Sequence, residues 1–411
     1  MGAQQTDADV IIAGSGLTGL ALAATLNAVR PSLRIVVTDP TPLPIAGADA
    51  AIGLRVSALT PGSIANFAAF GVWSSMPASH YQNYTDMRVW DAAMNCGDGI
   101  HFSAAKFGVP QLGCIADNAA LRATLYQHCQ AQSHVSFEPC AVTRVTSMPA
   151  HTAITLTDTS GQARELSAAL LVGADGRNSA VRALAGIASV GWAHQQRALV
   201  AHLIPEHSHQ MTALQRFLPD GPLALLPLPN DRVSLVLSTT PAEAHRLSEI
   251  DASDFDAHIT QASDAVLGQL TLDSARASFA LESRYAKDPI APRCVVIGDA
   301  AHAVHPLAGQ GANLGFSDVA VLARVVDEAL SARQDIGDAP VLRRYRRARM
   351  VDNVSTLYGL DWVNRLFARD SGIIADSRRA GMRWFDRVGI VKHLAAGHAM
   401  RAASLPRGLR S

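Results

Sequence analysis

The feature that most constrains this chain is a glycine cluster near its N-terminus, set between an apolar run and an alanine-rich segment. Residues 10–13 predict a buried parallel strand, and residues 17–29 predict a helix. Between them, Gly14, Gly16 and Gly19 form the pattern GxGxxG. At a strand-to-helix turn this pattern is typical of dinucleotide-binding folds, because it lets a pyrophosphate approach the free N–H groups at the helix N-terminus.

The following residues predict the rest of a β-α-β unit. Residues 33–38 predict a second buried strand, and Asp39 follows it, 20 residues after Gly19. An acid at this place can accept hydrogen bonds from ribose hydroxyls. An ordinary glycine turn is the alternative, but the strand, the helix and the acid together favour a dinucleotide site.

A second glycine-rich segment lies near residue 300. Residues 294–297 predict another buried parallel strand, which ends at Gly298 and Asp299. A carboxylate at a strand end can bind a chain of sugar-like hydroxyls, and Gly309 and Gly311 permit a flat ligand to approach the backbone. The N-terminus of the helix predicted after this loop would favour negative charge on that ligand.

At these residues the sequence resembles the class A flavoprotein aromatic monooxygenases, which have the p-hydroxybenzoate hydroxylase fold. A third motif of that family, DGRNSAVR, occupies residues 175–182. The resemblance implies that the first motif binds the ADP part of FAD and that Asp299 contacts the ribityl chain. It also implies that the loop 306–313 lies beside the isoalloxazine ring and that Asp175 serves both FAD and the reductant.

Within that family the chain resembles the ubiquinone-biosynthesis hydroxylases over nearly its whole length. Residues 55–59, RVSAL, resemble a segment whose arginine lies near the flavin, and residues 112–122 resemble a segment that ends in the pair Leu-Arg. Two positions depart from this pattern: Gly53 stands where these enzymes often carry Asp, and Arg401 where they usually carry Gly.

The motifs and the resemblance together assign the following cofactor-binding residues: Gly14, Gly16, Leu17, Thr18, Gly19, Asp39, Arg55, Arg122, Asp175, Gly298, Asp299, Gly309, Gln310, Gly311, Ala312 and Asn313. The implied catalytic element is the flavin-ring loop with Pro306, Gly309 and Gly311. No side-chain acid or base is assigned, and no metal is expected.

The resemblance implies an FAD-dependent monooxygenase that hydroxylates the ring of a prenylated phenol in ubiquinone biosynthesis. O2 would supply the oxygen atom through a C4a-hydroperoxyflavin. The sequence has no second GxGxxG for a separate nicotinamide domain, so NAD(P)H would bind transiently or a redox-protein partner would supply the electrons. Two alternatives remain: a flavin hydroxylase or epoxidase of another hydrophobic substrate, and a flavin-bearing accessory subunit of a quinone-synthesis complex.

The predicted fold class is α/β, with a Rossmann-like FAD-binding domain, a second domain built on an antiparallel β-sheet, and a helical C-terminal region. Short strands at residues 199–203, 223–228 and 233–238 indicate the antiparallel sheet. We expect the FAD-binding domain to comprise residues 1–80, 110–190 and 286–340, the substrate domain residues 81–109 and 191–285, and the C-terminal region residues 341–411.

Composition and charge exclude several classes. The 48% of hydrophobic residues excludes wholesale disorder, and the zero net charge gives no reason to expect nucleic-acid binding. The five cysteines form no CxxC pair, which argues against a disulfide framework or a structural zinc site. The uncharged residues 10–29 are long enough to span a bilayer, but their glycine cluster argues against a membrane helix.

Positive charge is concentrated at the C-terminal end, where residues 341–411 carry 15 Lys+Arg and 5 Asp+Glu. Five arginines lie within residues 343–349, and further on a basic amphipathic helix is predicted from Arg383, Trp384, Arg387, Val388, Val391, Lys392 and Leu394. We expect a cytoplasmic protein that associates peripherally with the anionic inner membrane face or with a quinone-biosynthesis complex. The alternative is that this region packs on the FAD-binding domain and that its arginines pair with that domain's acids.

Overall fold

The computed structural model describes residues 6–41, 51–303 and 311–350, together with Asn353, residues 380–382 and Asp386. Several predicted features lie outside the described residues. These are the loop residues Pro306, Gly309 and Gln310 and the basic amphipathic helix predicted from Arg383, Trp384, Arg387, Val388, Val391, Lys392 and Leu394.

The strands and helices alternate along the first part of the chain, as expected for an α/β protein. In chain order, the described strands are β1 (Ala8–Ala13), β2 (Ile35–Thr38), β3 (Val56–Leu59), β4 (Tyr81–Tyr84), β5 (Asp86–Asp91), β6 (Ile100–Ser103), β7 (Gly113–Asp117), β8 (Val135–Glu138), β9 (Cys140–Ser147), β10 (Thr152–Asp158), β11 (Ala163–Gly173), β12 (Ser189–Pro205), β13 (Thr212–Leu218), β14 (Gly221–Pro227), β15 (Val233–Thr239), β16 (Leu270–Leu272), β17 (Ala277–Ala286), β18 (Ile290–Ala291), β19 (Cys294–Val296) and β20 (His302–Ala303). The helices are α1 (Leu17–Val29), α2 (Pro61–Ala68), α3 (Ala104–Phe107), α4 (Asn118–Gln130), α5 (Ala180–Leu184), α6 (Pro241–Glu249), α7 (Ala252–Ala262), α8 (Gly311–Ser331) and α9, described over residues 339–350.

The first sheet is the dinucleotide-binding part of the molecule. Its main path runs β18-β19-β11-β1-β2-β8, and β1, β2, β8, β11 and β19 are parallel neighbours. The predicted β-α-β unit is present as β1, α1 and β2. Nine of the 13 residues of α1 are buried, because the helix packs between the sheet, α4 and α8.

The second sheet contains nine strands: eight follow the main path β20-β17-β12-β15-β14-β13-β5-β6, and β16 pairs with β12 beside it. The pairings are antiparallel except that of β5 with β13. One face packs on α6 and α7 through a core that includes Leu199, Leu235 and Phe255. The predicted α/β class with a separate antiparallel sheet is therefore confirmed.

A third sheet, β3-β7-β4, connects the other two and was not predicted. Its strands are only four or five residues long. A small core of Ala58, Ile115 and Leu228 joins this sheet to the second one. The sequence analysis assigned no strand to the residues of this sheet, because such short strands carry no clear apolar period.

Residues 10–29 are divided between β1, the glycine turn and α1 rather than forming one helix. In the part of the chain that the structure describes, no helix combines the length and apolar character that crossing a bilayer requires.

Candidate functional site

Three of the predicted motifs meet at one edge of the first sheet. Each directly follows a parallel strand: the GxGxxG turn follows β1, the DG motif follows β11, and the GD motif follows β19. The register pairs Ala13 with Gly173 and Gly173 with Val296, so the three strands end side by side. The carboxyl edge of a parallel sheet is where such folds bind their ligands.

The three glycines of the first motif stand in different surroundings. A Cβ on Gly14 would lie 2.3 Å from the carbonyl oxygen of Ala174, and one on Gly19 would lie 1.9 Å from the carbonyl oxygen of Gly14. A Cβ on Gly16 would meet no heavy atom of the described chain within 4 Å. Gly14 and Gly19 are therefore required by the protein's own packing, whereas the space at Gly16 is open.

The N-terminus of α1 is open as well. Gly16 is the residue that precedes the helix, and no side chain in the described part of the protein caps its first turn. The N–H groups of that turn lie at the positive end of the helix dipole, and no described side chain caps them. This arrangement favours the binding of an anion. Together with the open space at Gly16, this geometry fits the pyrophosphate of a dinucleotide.

Thr18 packs the first motif against the GD motif. Its Oγ1 lies where a side chain on Gly298 or on Gly315 would begin, 2.7 Å from either added Cβ. Gly298 has a φ of +56°, a left-handed conformation that glycine adopts easily. Thr18 thus acts through packing, and glycines at 298 and 315 are needed to admit it.

Asp39 and Arg122 are connected through Ser15, a residue that the sequence analysis did not single out. The backbone N–H and the Oγ of Ser15 both donate to Asp39 Oδ2, at 2.8 and 2.9 Å. Arg122 donates to the carbonyl oxygen and to the Oγ of Ser15, at 2.7 and 2.8 Å. Burial tends to raise the pKa of Asp39, but the hydrogen bonds from Ser15 and Thr41 outweigh it, so the pKa lies below its ordinary value.

The GD motif presents its carboxylate to solvent. Asp299 lies in a single 3-10 turn, Gly298–Ala300, and its side chain is exposed while both neighbours are buried. Among the described residues, no donor forms a hydrogen bond to its carboxylate. Asp299 is therefore available to hydroxyl groups of a ligand at the sheet edge.

The DG motif, by contrast, uses its carboxylate internally. Asp175 accepts hydrogen bonds from the Oγ of Ser179 at 2.5 Å and from the backbone N–H of Val181 at 3.0 Å. Arg182 donates to the carbonyl oxygens of Ala300 and Arg177, at 2.8 and 2.9 Å. These contacts stabilise the turn before α5 and tie the DG motif to the GD motif.

The side-chain amide of Asn313 also forms hydrogen bonds within the protein. Its Oδ1 accepts from the backbone N–H of Thr60 at 3.0 Å and from Ser63 Oγ at 2.9 Å, and its Nδ2 donates to the carbonyl oxygen of Ala58 at 2.6 Å. The amide thus fastens the first turn of α8 to the segment between β3 and α2. Gly311 begins α8 two residues before Asn313.

Arg55 is exposed and lies at the junction of the small sheet and the second sheet. Its guanidinium carbon is 5.7 Å from the centroid of the Phe279 ring, and this ring is 43% exposed. An exposed aromatic ring beside an arginine offers a stacking surface to a flat or aromatic ligand.

A buried ionic cluster that the sequence analysis did not predict lies behind the GD motif. Asp318 has no exposed surface and contacts His302 at 2.5 Å and Arg349 at 2.7 Å. Burial alone would raise the pKa of Asp318, but His302 and Arg349 hold it well below its ordinary value. Sequence spacing offered no signal, because Arg349 follows Asp318 by 31 positions.

Comparison with known proteins identifies similar chains. A family model described as an FAD binding domain matches residues 7–353. A 3-demethoxyubiquinol 3-hydroxylase of Escherichia coli is 31% identical over 392 residues, covering 95% of this chain and 98% of that protein. Ubiquinone hydroxylase UbiL of Rhodospirillum rubrum is 34% identical over 400 residues, covering 97% of this chain and 90% of that protein.

Among solved structures, p-nitrophenol 4-monooxygenase PnpA from Pseudomonas putida has the same fold. It matches with a TM-score of 0.76 at 16% identity and covers 98% of this chain and 100% of its own.

Proposed function

The chain belongs to the FAD-binding family of the ubiquinone-biosynthesis hydroxylases, and we propose that it hydroxylates the aromatic ring of a prenylated phenol in ubiquinone biosynthesis as an FAD-dependent monooxygenase. The observation that carries the proposal is the meeting of three motifs at one sheet edge, with open space at Gly16 and an exposed carboxylate at Asp299. The relatives that are similar over nearly the full length point to the same chemistry.

FAD, when bound, supplies the electron transfer and the activation of O2 that protein side chains do not provide. In this proposal Gly16 admits the pyrophosphate to the N-terminus of α1, and Asp39 binds the ribose with its position set by Ser15. Arg122 supports the same turn through Ser15. Asp299 binds the ribityl chain. Gly14 and Gly19 shape the turn without touching the cofactor.

The other assigned residues are proposed to hold the cofactor-binding backbone in place or to border the flavin ring. Asp175 and Asn313 contribute through the backbone segments that their side chains hold in place. Arg55, which lies next to Phe279, would border the flavin ring. Leu17, Thr18, Gly298, Gly311 and Ala312 frame the cofactor, and Pro306, Gly309 and Gln310 remain assigned from the resemblance alone.

The substrate is proposed to bind at the junction of the small sheet β3-β7-β4 and the second sheet. Phe279 stands exposed on β17 at this junction, and an exposed large apolar side chain is suited to an aromatic ring. We propose residues 81–109 and 191–285 as the substrate domain, supported by the separate core of the second sheet. Residues 1–80, 110–190 and 286–340 would form the FAD-binding domain and residues 341–411 the C-terminal region.

NAD(P)H or a redox-protein partner is the proposed electron donor, and O2 is the second substrate. A cytoplasmic location at the inner membrane face or in a quinone-biosynthesis complex remains part of the proposal, because a prenylated substrate resides in lipid. Its support in the described chain is limited to Arg343 and Arg347, two exposed arginines four residues apart on α9.

The experiment that tests the proposal is turnover by the full-length protein reconstituted with FAD. Prenylated phenols are supplied with NADH, NADPH or a reduced ferredoxin-type protein, and products are identified by mass spectrometry. We expect a ring-hydroxylated product and, in a deletion strain, accumulation of the corresponding quinone precursor. Hydroxylation or epoxidation of other hydrophobic compounds alone would indicate a different substrate class. Retained FAD without product from any donor would indicate an accessory subunit.

A further inference from the structure

We propose that Arg349, near the end of the described part of α9, is a positioning residue for FAD: it holds the Asp318 carboxylate that fixes the turn presenting Asp299. The inference rests on the proposed function, because it assigns cofactor binding to Asp299. Arg349 itself lies outside the three flavin motifs. It also donates to the carbonyl oxygen of Leu314 and to Oδ1 of Asn353, and its proposed effect on FAD runs through Asp318.

Asp318 connects three separate parts of the chain. Its Oδ2 accepts a hydrogen bond from the backbone N–H of Gly298 at 2.9 Å and contacts Nε2 of His302 at 2.5 Å. Because a carboxylate only accepts, Nε2 of His302 is the donor. The other oxygen, Oδ1, accepts from Arg349 Nε at 2.7 Å and from Asn353 Nδ2 at 3.3 Å. One carboxylate on α8 thus holds both ends of the segment 298–302 and contacts Arg349 of α9 and Asn353.

His302 and Arg349 together stabilise the ionised form of that buried carboxylate. Asp318 has no exposed surface, and the Arg349 side chain is 3% exposed. A buried carboxylate that loses its cationic partner takes up a proton or draws its surroundings into a new arrangement. Either change weakens the hydrogen bond to Gly298, whose left-handed conformation sets the direction in which Asp299 points.

The chain offers a matched control one turn earlier on the same helix. Arg346 forms an ion pair with Asp288 at 2.7 Å, and both side chains are partly exposed, at 33% and 46%. Neither residue belongs to the assigned cofactor site. A variant of Arg346 therefore loses an arginine and an ion pair from α9 while leaving the Asp318 cluster unchanged.

The test measures the FAD dissociation constant of the apoprotein in a set of full-length variants. Arg349→Met should weaken FAD binding by about tenfold or more, because a charged hydrogen bond that shapes the site is lost. Arg349→Lys should fall between this variant and the wild type, since it retains the charge. Arg346→Met should bind FAD as the wild type does. Near-ultraviolet circular dichroism checks that each apoprotein is folded.

The decisive variant combines Arg349→Met with Asp299→Ala. If Arg349 acts by aiming Asp299, its replacement should have little further effect once the Asp299 carboxylate is gone. A fully additive loss would instead mean that Arg349 affects FAD only through general stability, and the inference would be wrong. Should Arg349→Met fail to fold, the same cycle is measured with Arg349→Lys.

The FAD affinities of other variants distinguish a failure of the proposed cofactor site from a failure of the role proposed for Arg349. If Gly16→Val and Asp299→Ala bind FAD as tightly as the wild type does, the proposed cofactor site is wrong and this inference falls with it. If those two variants lose affinity and Arg349→Met does not, the site stands and only the positioning role is contradicted.

Discussion

The glycines of the GxGxxG motif are needed for different reasons. Gly19 contacts the protein, since a Cβ there would lie 1.9 Å from a backbone oxygen, and Gly16 faces open space. We predict that Gly16→Val leaves the unfolding free energy of the apoprotein within about 0.5 kcal/mol of the wild type but abolishes FAD retention. Gly19→Ala should cost about 1–3 kcal/mol of stability through overpacking. Urea unfolding and flavin absorbance measure the two effects; a folded Gly16→Val protein that keeps its FAD would contradict the assignment.

Asp299 is the exposed acid to which we assign the ribityl chain. Asp299→Ala should weaken FAD binding by about 1–3 kcal/mol through loss of hydrogen bonds that the cofactor would bury. Glu165 is an exposed acid on β11 and provides the control, because it belongs to none of the three motifs. Calorimetric titration of the apoproteins with FAD should show an effect for Asp299→Ala and none for Glu165→Ala. Equal affinities for both variants would remove Asp299 from the site.

Asp318 predicts a particular pH dependence of stability. Its folded pKa is held below the unfolded value of about 3.9 by His302 and Arg349. A lowered folded pKa stabilises the protein above the unfolded pKa, and that contribution is lost as the pH falls through the folded pKa. Asp318→Asn should therefore be less stable than the wild type at pH 7, by about 3–5 kcal/mol. The difference should shrink below about pH 4; a gap in urea-unfolding free energy that is constant down to pH 3 would contradict this explanation.

At the scale of elements, the sequence predicted best where burial is continuous. The β-α-β unit, β19 and α8 were anticipated because parallel strands and their helices read as unbroken apolar runs bounded by glycine. The sheet β3-β7-β4 was missed because strands such as YQNY in β4 have no apolar alternation. The sequence also did not predict contacts between residues far apart in the chain. Local spacing indicates neither the hydrogen bonds that link Asp39 and Arg122 through Ser15 nor the Asp318 cluster.

The arginines of α9 illustrate the same difficulty. Read as sequence they form one basic cluster, but Arg344 donates to Gln334, Arg346 pairs with Asp288 and Arg349 pairs with Asp318. The expected alternative, in which these arginines pair with acids of the rest of the protein, therefore describes Arg346 and Arg349, whereas the partner of Arg344 is an amide. Arg343 and Arg347 are exposed, and a surface role can rest on them alone within the described part of the cluster.

We predict that reversal of charge at Arg343 and Arg347 to glutamate weakens binding to anionic liposomes without loss of FAD. Replacement of the paired Arg344 and Arg346 by glutamine should have a smaller effect. Binding should fall steeply with salt, since exposed charges are screened beyond about 8 Å at physiological ionic strength. Charge reversal at Arg383, Arg387 and Lys392 is expected to act in the same direction. A wild-type protein that ignores both liposomes and partner complexes at low salt would contradict a membrane role.

At the scale of the whole molecule, the fold explains why the chemistry residues are scattered through the sequence. Three strand ends place motifs near residues 16, 175 and 299 at one edge, and the second sheet brings Phe279 to the same junction as Arg55. The resemblance implied that the three motifs serve one cofactor, and the parallel strands that precede them end together at one edge of the sheet. The sequence could not predict which carboxylates remain free for a ligand. The Asp299 side chain is exposed, whereas the Asp175 carboxylate accepts hydrogen bonds within its own turn.

We infer that this protein inserts an oxygen atom from O2 into an aromatic ring by means of bound FAD. The most direct test of this inference is turnover of a prenylated phenol by the reconstituted protein under isotopically labelled O2, with a parallel reaction in labelled water. We predict that the new hydroxyl oxygen of the product carries the label from O2 and none from water. Label arriving from water would contradict the claim.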